Sequence, residues 1–368
     1  MNSTKSWNVR LYKDGDESGY MDLMKTAFPA YRCTTERWRW EFKSNPFGSI
    51  QVFSDSNGEI VGHMGLIFAP MKIGDQTVMG SQAVDLAVSE EFRGKGMFIA
   101  VGKELMRNAA VKGVPISYGV PNEPAFRGHL KYGWFYAARI PVLVKAATIK
   151  GLMTLQLLNF LRFVRRPRFN VWKNSALIVR NATCGRTERH ESTSSGVQWI
   201  VRTVQSFDKR IDELWNDVES DYQLILIRST QYLNWRYVDK PYPTYSKMIL
   251  EKNGRIEGFI VLATETDQFM KLRKGYIVDV LAKSGGAMRY LFRSALDYFE
   301  EKKVDLVTCW MMRKNPYHNF LSEHGFAEDD SKLERLICRI NTNDDAFKVR
   351  YHKAEKSWFF TMGDSDII

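Results

Sequence analysis

The chain has few cysteines and no long hydrophobic run. Its four cysteines, Cys33, Cys184, Cys309 and Cys338, are scattered through 368 residues without a C-x-x-C pair. We therefore expect neither a disulfide framework nor a zinc site. The six histidines show no metal-ligand spacing, so no metal is expected. No apolar run approaches the roughly 18 residues of a membrane span, and residues 1–7 lack the apolar core of a secretory signal. These absences favour a cytoplasmic protein with reduced thiols.

Two common phosphate-binding motifs are also missing. The sequence contains neither G-x-x-x-x-G-K-[ST] nor G-x-G-x-x-G, which excludes a P-loop and a dinucleotide fingerprint. Instead, the apolar run Val84–Val88 leads into Arg93-Gly94-Lys95-Gly96, and a helical pattern follows from Met97 to about Val111. Glycines let a backbone approach a phosphate closely, and the N–H groups of a first helical turn attract anions. The pattern predicts a strand, a turn and a helix that together hold a diphosphate.

Further strand patterns flank this turn. Upstream, residues 51–53 and 60–67 are joined through Asn57-Gly58, a strong hairpin signal. Downstream, a strand pattern over residues 115–120 precedes Pro121-Asn122. A short helix then ends at Tyr132-Gly133-Trp134.

In this order of elements, and over roughly residues 7–146, the sequence resembles the GNAT family of N-acetyltransferases. The acyl-CoA motif of that family is [RQ]-x-x-G-x-[GA], which corresponds here to Arg93 through Phe98. Phe98 replaces the usual Gly or Ala and would crowd the diphosphate, unless only backbone N–H groups face it. Asn122 and Gly133-Trp134 also match the order of the family.

The resemblance implies acetyl-CoA, or another acyl-CoA, as the co-substrate. In the family, backbone groups of the fourth strand hold the thioester and pantetheine, and the glycine turn holds the pyrophosphate. In this sequence those positions are Leu86, Ala87, Val88, Arg93, Gly94, Lys95, Gly96, Met97 and Phe98. Asn122 is a further candidate contact to CoA or a water, with a helix cap as the alternative interpretation.

The resemblance also implies direct attack of an amine on the thioester, which needs a base and an acid. The usual glutamate base corresponds to Gln82, which cannot accept a proton. Asp85 is the nearest carboxylate, and strand alternation places it on the face opposite Gln82; a structural hydrogen bond is the competing interpretation. The usual tyrosine acid corresponds to His129, with Tyr132 three residues on. The candidate catalytic residues are thus Asp85, His129, Tyr132 and Asn122.

Several motifs recur about 195 residues later in the chain. The period far exceeds that of a solenoid repeat, so it predicts a duplicated domain. At the glycine turn the second copy reads Ser284-Gly285-Gly286-Ala287, which keeps glycines but loses the basic residues. We therefore expect a degenerate second domain. The recurring motifs are Trp40-Glu41-Phe42 with Trp235-Arg236-Tyr237, Asn57-Gly58 with Asn253-Gly254, Val84-Asp85-Leu86 with Val278-Asp279-Val280, and Gly133-Trp134 with Gly325-Phe326.

The expected fold class is α/β (α+β), with two tandem GNAT-like domains. Each domain should have a mixed, mostly antiparallel central sheet flanked by helices, and the chain length suits two domains. The predicted boundaries are 1–146 for the acyl-CoA domain, 147–196 for a basic connector, 197–342 for the degenerate domain and 343–368 for a C-terminal tail.

The positive charge is concentrated in one segment. Residues 139–190 hold eleven Lys and Arg against one acid, which accounts for most of the net charge of +11. Within it, residues 148–168 read as an apolar helix with a basic end. Three interpretations remain open: an inter-domain helix with a solvated basic edge, an interfacial helix that contacts anionic lipid, or a basic wall that steers an anionic substrate. Nucleic acid is not an expected partner, because no basic-aromatic array is present.

The C-terminus joins an apolar run, Trp358–Phe360, to an acidic turn. One hypothesis is that this tail crosses back to the N-terminal domain. It would then place Asp364, Asp366 or the terminal carboxylate near the acceptor amine. The alternative is a final strand with a frayed end.

The predicted function is acyl-CoA-dependent N-acylation, most simply acetyl transfer to a primary amine. The acceptor is expected to be a small molecule or a glycan, including anionic ones. Tandem chains with the Arg-Gly-Lys-Gly turn and the Pro-Asn element resemble acetyltransferases of surface polysaccharide or amino-sugar metabolism. Two alternatives stay open: a Fem-type aminoacyl transferase that uses aminoacyl-tRNA, a class that generally lacks the acyl-CoA turn, and a non-catalytic CoA-binding protein.

Overall fold

Two β-sheets, each flanked by helices, make up this computed structural model. It describes residues 6–29, 33–165, 199–332 and 334–366, with the backbone alone for 159–165. Most of the predicted basic connector (147–196), together with Cys184 and the terminal carboxylate, lies outside these residues.

Within the described residues, the first sheet has eight strands in the order β1-β2-β3-β4-β5-β15-β6, with β9 paired to β3. Only β4 and β5 are parallel neighbours. Its strands are β1 (Asn8–Leu11), β2 (Ser49–Ser56), β3 (Glu59–Ile73), β4 (Gln76–Val88), β5 (Ile116–Gly119), β6 (Phe135–Ile140), β9 (Leu224–Leu226) and β15 (Glu334–Ile340).

The second sheet repeats this order. Its seven strands in the described part of the chain run β8-β10-β11-β12-β13-β7-β14, and β12 and β13 are its parallel pair. They are β7 (Val142–Ala146), β8 (Trp199–Val204), β10 (Ser246–Lys252), β11 (Arg255–Asp267), β12 (Leu272–Ala282), β13 (Leu306–Trp310) and β14 (Ala327–Glu328).

The helices pack on the faces of these sheets. The largest apolar cluster runs continuously from residues of the first sheet to residues of the second, so one core joins both halves. The helices are α1 (Asp16–Ala27), α2 (Thr35–Trp38, continued by a wider π turn over Arg39–Lys43), α3 (Met97–Val111), α4 (Glu123–His129), α5 (Ile149–Arg165), α6 (Arg210–Val218), α7 (Thr230–Tyr237), α8 (Gly285–Glu301), α9 (Pro316–Glu323) and α10 (Asp345–Ala354).

The two hairpins predicted from Asn-Gly pairs are present. Asn57 and Gly58 have φ values of 52° and 86°, and Asn253 and Gly254 have 52° and 77°. Two successive positive φ angles are those of a type I′ turn, the tight connection whose twist matches that of its strands. The first hairpin joins β2 to β3, and the second joins β10 to β11.

The halves exchange strands, which corrects the predicted domain boundaries. The interval 1–146 placed Val142–Ala146 in the first domain, but this strand lies between β13 and β14 of the second sheet. Conversely, Glu334–Ile340 was assigned to 197–342 but lies between β5 and β6 of the first sheet. An apolar strand can pair with the edge of either sheet, and its position along the chain does not decide which sheet it joins.

The recurring tryptophans meet where the halves join. The rings of Trp40 and Trp235 stack with centroids 5.0 Å apart and planes 16° from parallel. Trp40 Nε1 donates to the carbonyl of Trp235 at 2.7 Å, and Trp235 Nε1 donates to the carbonyl of Trp40 at 3.2 Å. Reciprocal contacts of this kind place the two copies around a local pseudo-two-fold axis.

Helix α5 presents an apolar stripe to solvent. Ile149, Met153 and Leu157 are 77%, 63% and 53% exposed, whereas Gly151 is buried against the second sheet. Within the described residues no helix combines the length and apolarity that crossing a membrane requires. The basic residues Arg166–Arg189 of the predicted lipid-contacting or steering segment lie outside the described residues.

Candidate active site

A cleft opens where β4 and β5 separate. The two strands pair in parallel from Gly80↔Ile116 to Gln82↔Tyr118, after which they diverge around a pocket of about 210 Å³. The apolar part of its wall is formed by Met24, Met64, Val84, Leu86, Val120 and Pro121. The pocket therefore lies beside the backbone of β4 predicted to hold a thioester.

The wall of this pocket contains a β-bulge at Asp85. Gly65 pairs with Val84 and His63 with Ala87, so Asp85 and Leu86 both lie opposite one residue of β3. Asp85 has a φ of 51°, and a bulge residue of this kind re-aims its side chain. The strand alternation on which its predicted direction rested is therefore interrupted.

Two contacts hold the Asp85 bulge in place. The hydroxyl of Tyr20 on α1 donates to Asp85 Oδ2 at 2.5 Å, and His63 Nδ1 lies 2.7 Å from the Asp85 carbonyl oxygen. Asp85 lies on the pocket wall, and Gln82 contacts Asp366 on the same wall. The bulge removes the regular alternation on which the predicted placement of Asp85, on the face opposite Gln82, depended.

The glycine turn has the conformation that its sequence implies. Gly94 and Gly96 have φ values of 74° and 84°, a region costly for residues with a Cβ. Gly96 caps α3, which begins at Met97 as predicted. Arg93 Nε donates to the carbonyl of Val88 at 3.3 Å, and Lys95 Nζ lies over the ring of Phe92. The backbone N–H groups of the turn therefore adjoin the N–H groups at the start of α3, which is the arrangement that an anion site requires.

Phe98, the residue that departs from the family motif, turns towards α4. Its ring lies 5.3 Å from that of His129 and 5.9 Å from that of Tyr132, edge to face in both cases. It also lies over Gly128, where an added Cβ would be 2.6 Å from the ring. The ring packs between α3 and α4. This geometry does not favour the crowding of the diphosphate by Phe98 that the sequence suggested.

His129 and Tyr132 form a buried pair at the end of the pocket. They are 4% and 5% exposed, and the Tyr132 hydroxyl lies 2.6 Å from His129 Nδ1. The same hydroxyl lies 3.8 Å from the Sδ of Met64, a weak acceptor. Because Nδ1 is the stronger acceptor, we assign the hydroxyl as its donor, which leaves the His129 proton on Nε2. Burial lowers the pKa of His129 to about 3. The ring is therefore a neutral N–H donor rather than an imidazolium.

This burial predicts a defined acid sensitivity. An unfolded histidine takes up a proton near pH 6.5, whereas folded His129 does so only near pH 3. The unfolded state is therefore favoured progressively as pH falls below 6.5, by about 2 kcal/mol at pH 5. Urea unfolding measures this effect. Between pH 7.5 and pH 5, the free energy of unfolding of His129→Gln should fall by about 2 kcal/mol less than that of the wild type.

A surface histidine serves as the control for this measurement. His352 lies on α10 with its side chain 60% exposed, so His352→Gln should follow the wild-type dependence on pH. If the free energy of unfolding falls equally between pH 7.5 and pH 5 in the His129→Gln and His352→Gln variants, the assignment of His129 as a neutral side chain is contradicted.

Asn122 has the capping role named as its alternative. Its side-chain oxygen accepts from the N–H of Ala125 at 3.0 Å, and Pro124 occupies the first turn of α4. Asn122 also lies on the pocket wall. The cap fixes the start of the helix that carries His129, so Asn122 helps to position His129.

The C-terminal tail is buried and does not form a strand. Trp358 makes an isolated bridge to Leu224, and the tail then continues to Asp366 through a short 3₁₀ turn, Met362–Asp364. Gln82 Nε2 donates to Asp366 Oδ1 at 2.8 Å, and Asp366 lies on the wall of the pocket. The alternative of a final strand is therefore not what the described residues show, and the described end of the tail reaches Gln82 of β4.

Asp364, in contrast, lies in the second domain. Arg228 Nη2 donates to Asp364 Oδ2 at 2.8 Å and to Asp279 Oδ1 at 3.2 Å, and all three side chains are fully buried. Asp279 is the counterpart of Asp85 in the repeat. The structure therefore separates the two tail aspartates that the sequence had treated together.

In the second domain the tail occupies the place that corresponds to the pocket. An added Cβ at Gly363 would lie 3.2 Å from Asp279 Cβ. Tyr317 closes the gap beyond β12, because the N–H of Ala282 donates to its hydroxyl oxygen at 2.9 Å.

The turn of the second domain is also covered. Ser284 Oγ accepts from the N–H of Ala287 at 3.1 Å, so a side chain of the protein caps α8. An added Cβ at Gly286 would lie 3.0 Å from the ring of Trp199. The degenerate sequence thus coincides with a closed site.

Sequence reasoning did not select Glu41, which lies close to the pocket. It is fully buried, 3.7 Å from Arg37 Nε. Its position inside the recurring Trp40-Glu41-Phe42 triplet was an available signal, because the second copy has Arg236 there. Among the described residues, no cluster of His, Cys, Asp or Glu has the arrangement of a metal site.

Comparison with known proteins agrees with this architecture. Residues 8–137 match the family model of the acetyltransferase (GNAT) domain, so this part of the chain is a GNAT domain and the resemblance found in the sequence is confirmed. No curated protein sequence matches the chain significantly.

The structural matches extend over nearly the whole chain. A probable N-acyltransferase from Enterococcus faecalis V583 is 15% identical with a TM-score of 0.62, over 91% of this chain and 73% of that one. A GCN5-related N-acetyltransferase from Anabaena variabilis is 14% identical with a TM-score of 0.64, over 92% and 73%. The Saccharomyces cerevisiae N-myristoyltransferase solved with myristoyl-CoA is 14% identical with a TM-score of 0.57, over 93% and 80%. At these identities the matches confirm the predicted two-sheet α/β fold. The GNAT domain supports acyl transfer as the general chemistry.

Proposed function

We propose that this chain is an acyl-CoA-dependent N-acyltransferase with a single acyl site in its N-terminal domain. The observation that carries the proposal is the open divergence of β4 from β5, next to a positive-φ glycine turn that starts α3. A diphosphate binds the N–H groups at the turn, and the pantetheine arm follows the unpaired edge of β4 to the pocket. The closed counterpart in the second domain supports one acyl-CoA per chain.

The pocket supports a short acyl group, with acetyl as the simplest. Its volume of about 210 Å³ is below the roughly 300–1,000 Å³ common for drug-sized ligands. Part of that space is needed by the attacking amine. Apolar side chains such as Met24, Met64 and Val84 suit the methyl end of an acetyl group.

The chemistry needs no covalent enzyme intermediate. A neutral amine attacks the thioester carbonyl carbon, the C–N bond forms, and the C–S bond breaks with its electron pair on sulfur. Neutral His129 presents its Nε2–H to the departing thiolate, and Tyr132 fixes that tautomer from the opposite nitrogen. The amine is supplied by a small molecule or a glycan that enters between the two halves.

Calorimetric titration of the full chain with acetyl-CoA tests the cofactor part of the proposal. We expect one acetyl-CoA per chain. Release of the CoA thiol on addition of primary amines then tests transfer. Binding without release for any amine would leave a CoA-binding protein, and a folded chain that binds no acetyl-CoA would overturn the proposal.

A further inference from the structure

Carboxyl side chains from three separate segments lie on the pocket wall or near it. Asp85 comes from the bulge of β4, Asp366 from the tail that leaves the second domain, and Glu41 from the π turn after α2. Asp85 and Asp366 lie on the pocket wall. Glu41 lies close enough to both for their charges to raise its pKa, in addition to the effect of burial. The cluster thus depends on both halves of the chain.

Neutral partners hold the two carboxyl groups on the wall. Asp85 accepts from the Tyr20 hydroxyl at 2.5 Å, and Asp366 accepts from Gln82 Nε2 at 2.8 Å. These two donors are uncharged, while the positive charges of Arg37 and Arg236 also act on Asp366 and lower its pKa. Burial first, and the charge of Asp85 second, raise the pKa of Asp366 overall, as expected for a buried carboxyl group next to another carboxylate.

Glu41 is a buried carboxyl group with a long ion pair. Its side chain is fully buried, and no N–H or O–H group of the described residues donates to either of its oxygens. Its ion pair with Arg37 is long, at 3.7 Å from Nε to Oε2. A buried carboxyl without a donor is costly. Glu41 is not on the pocket wall, so it is the positive charge of a ligand held by Asp85 and Asp366, acting through space, that would relieve this cost.

Two nearby cations, Arg236 and Lys240, have further contacts of their own. Arg236 donates from Nε to the carbonyl of Gly363 at 3.0 Å and from Nη2 to the carbonyl of Ser365, so it holds the tail backbone. Lys240 Nζ lies over the ring of Trp40, 5.3 Å from its centroid, and burial lowers the pKa of this lysine. Arg236 thus holds the tail backbone and Lys240 packs against Trp40, while Asp85 and Asp366 lie on the pocket wall.

We infer that the acceptor is a cationic primary alkylamine and that Asp85 and Asp366 bind its ammonium group. This inference rests on the proposed function and selects, among the acceptors left open by the sequence, cationic amines over anionic amino sugars. The ammonium gives one proton to Asp366, and the resulting amine attacks the thioester carbonyl. The second proton lost from nitrogen ends on the departing thiolate, so the products are the amide, the CoA thiol and one released proton.

A comparison of acceptors at one pH tests this assignment. The acceptors are 1,5-diaminopentane, which is cationic, and glucosamine 6-phosphate, whose phosphate makes it anionic. With acetyl-CoA as donor and thiol release as readout, we expect kcat/KM to be at least about 10-fold higher for the diamine than for the sugar. The difference corresponds to the charge-assisted hydrogen bond that the anionic sugar loses. Equal or better use of the phosphorylated sugar would overturn the inference.

Asp366→Asn supplies the second arm. The amide keeps the shape but loses the charge, so KM for the diamine should rise about 10-fold or more while the acetyl-CoA affinity stays within about twofold, since one charge far from the turn is changed. Asp75→Asn is the matched control, because Asp75 is 85% exposed and pairs with Arg350 at the surface; it should match the wild type. An unchanged KM in a folded Asp366→Asn variant would contradict the inference.

An unreactive cation gives a measurement that needs no variant. Hexyltrimethylammonium cannot be acylated, and we expect it to inhibit wild-type turnover in competition with the diamine, whereas hexanoate should not. Inhibition by hexanoate alone would contradict the inference. Absence of acetyl-CoA binding would overturn the proposed function itself, and turnover confined to anionic acceptors would overturn only the inference.

Discussion

Gly96→Val is expected to weaken acetyl-CoA binding by about 10- to 100-fold, the effect of losing a hydrogen bond to a charged phosphate. Gly96 has a φ of 84° and no protein atom within 4 Å of where a Cβ would stand. The valine side chain therefore occupies space that a phosphate needs, and the strained backbone, at a cost of about 1–2 kcal/mol, tilts the N–H groups of the turn away. Calorimetric titration with acetyl-CoA measures the loss.

Gly113→Val separates this effect from strain alone. Gly113 follows the other end of α3, has a φ of 70° and likewise has no atom within 4 Å of an added Cβ. Both variants should lose similar stability in thermal unfolding, and only Gly96→Val should lose affinity. If the Gly113 variant loses as much affinity, or if folded Gly96→Val binds normally, the diphosphate does not lie at this turn.

The parts of the site fixed by local chemistry could be predicted from the sequence. Gly96 followed by Met97 marked the start of α3 to the residue, and Asn57-Gly58 marked the first hairpin. These features depend on backbone conformations that few residues tolerate, so the residue type carries the information.

The parts that depend on distant contacts could not be predicted. A strand such as Val142–Ala146 has the same pattern whichever sheet it joins, so the exchange left no local signal. The direction of Asp85 follows from a bulge rather than from alternation. His129 reads as a titrating histidine, and only its burial against Phe98 and Tyr132 makes it a neutral donor.

The tail connects the second domain to the pocket of the first. Arg228 follows β9, which pairs with β3 of the first sheet, and its side chain contacts Asp279 of the second sheet and Asp364 of the tail. The same tail then reaches Gln82 through Asp366. The buried contacts of Arg228 and Asp279 therefore hold the tail one turn before it reaches the pocket wall at Asp366.

Replacing Arg228 by methionine is accordingly expected to lower the free energy of unfolding by about 3–5 kcal/mol, the cost of removing one partner from a buried ion pair. Arg228 is fully buried, and burial raises the pKa of Asp364 even with this cation beside it. Without Arg228, Asp279 and Asp364 face each other with no cation between them. Urea unfolding near pH 7 measures the change, and acceptor turnover should fall with it because Asp366 loses its anchor.

A rescue and a surface control make this result specific to the buried charges. Arg228→Met combined with Asp279→Asn and Asp364→Asn removes all three charges, so most of the lost stability should return, as neutral replacement of buried ion pairs generally allows. Arg107→Met breaks the exposed pair with Glu104 and should cost less than about 1 kcal/mol. If Arg228→Met costs no more than Arg107→Met, the tail is held by its apolar contacts through Trp358 and Phe360 rather than by charge. If the triple variant is stable but transfers no acyl group, the charges position the tail as well as stabilise it.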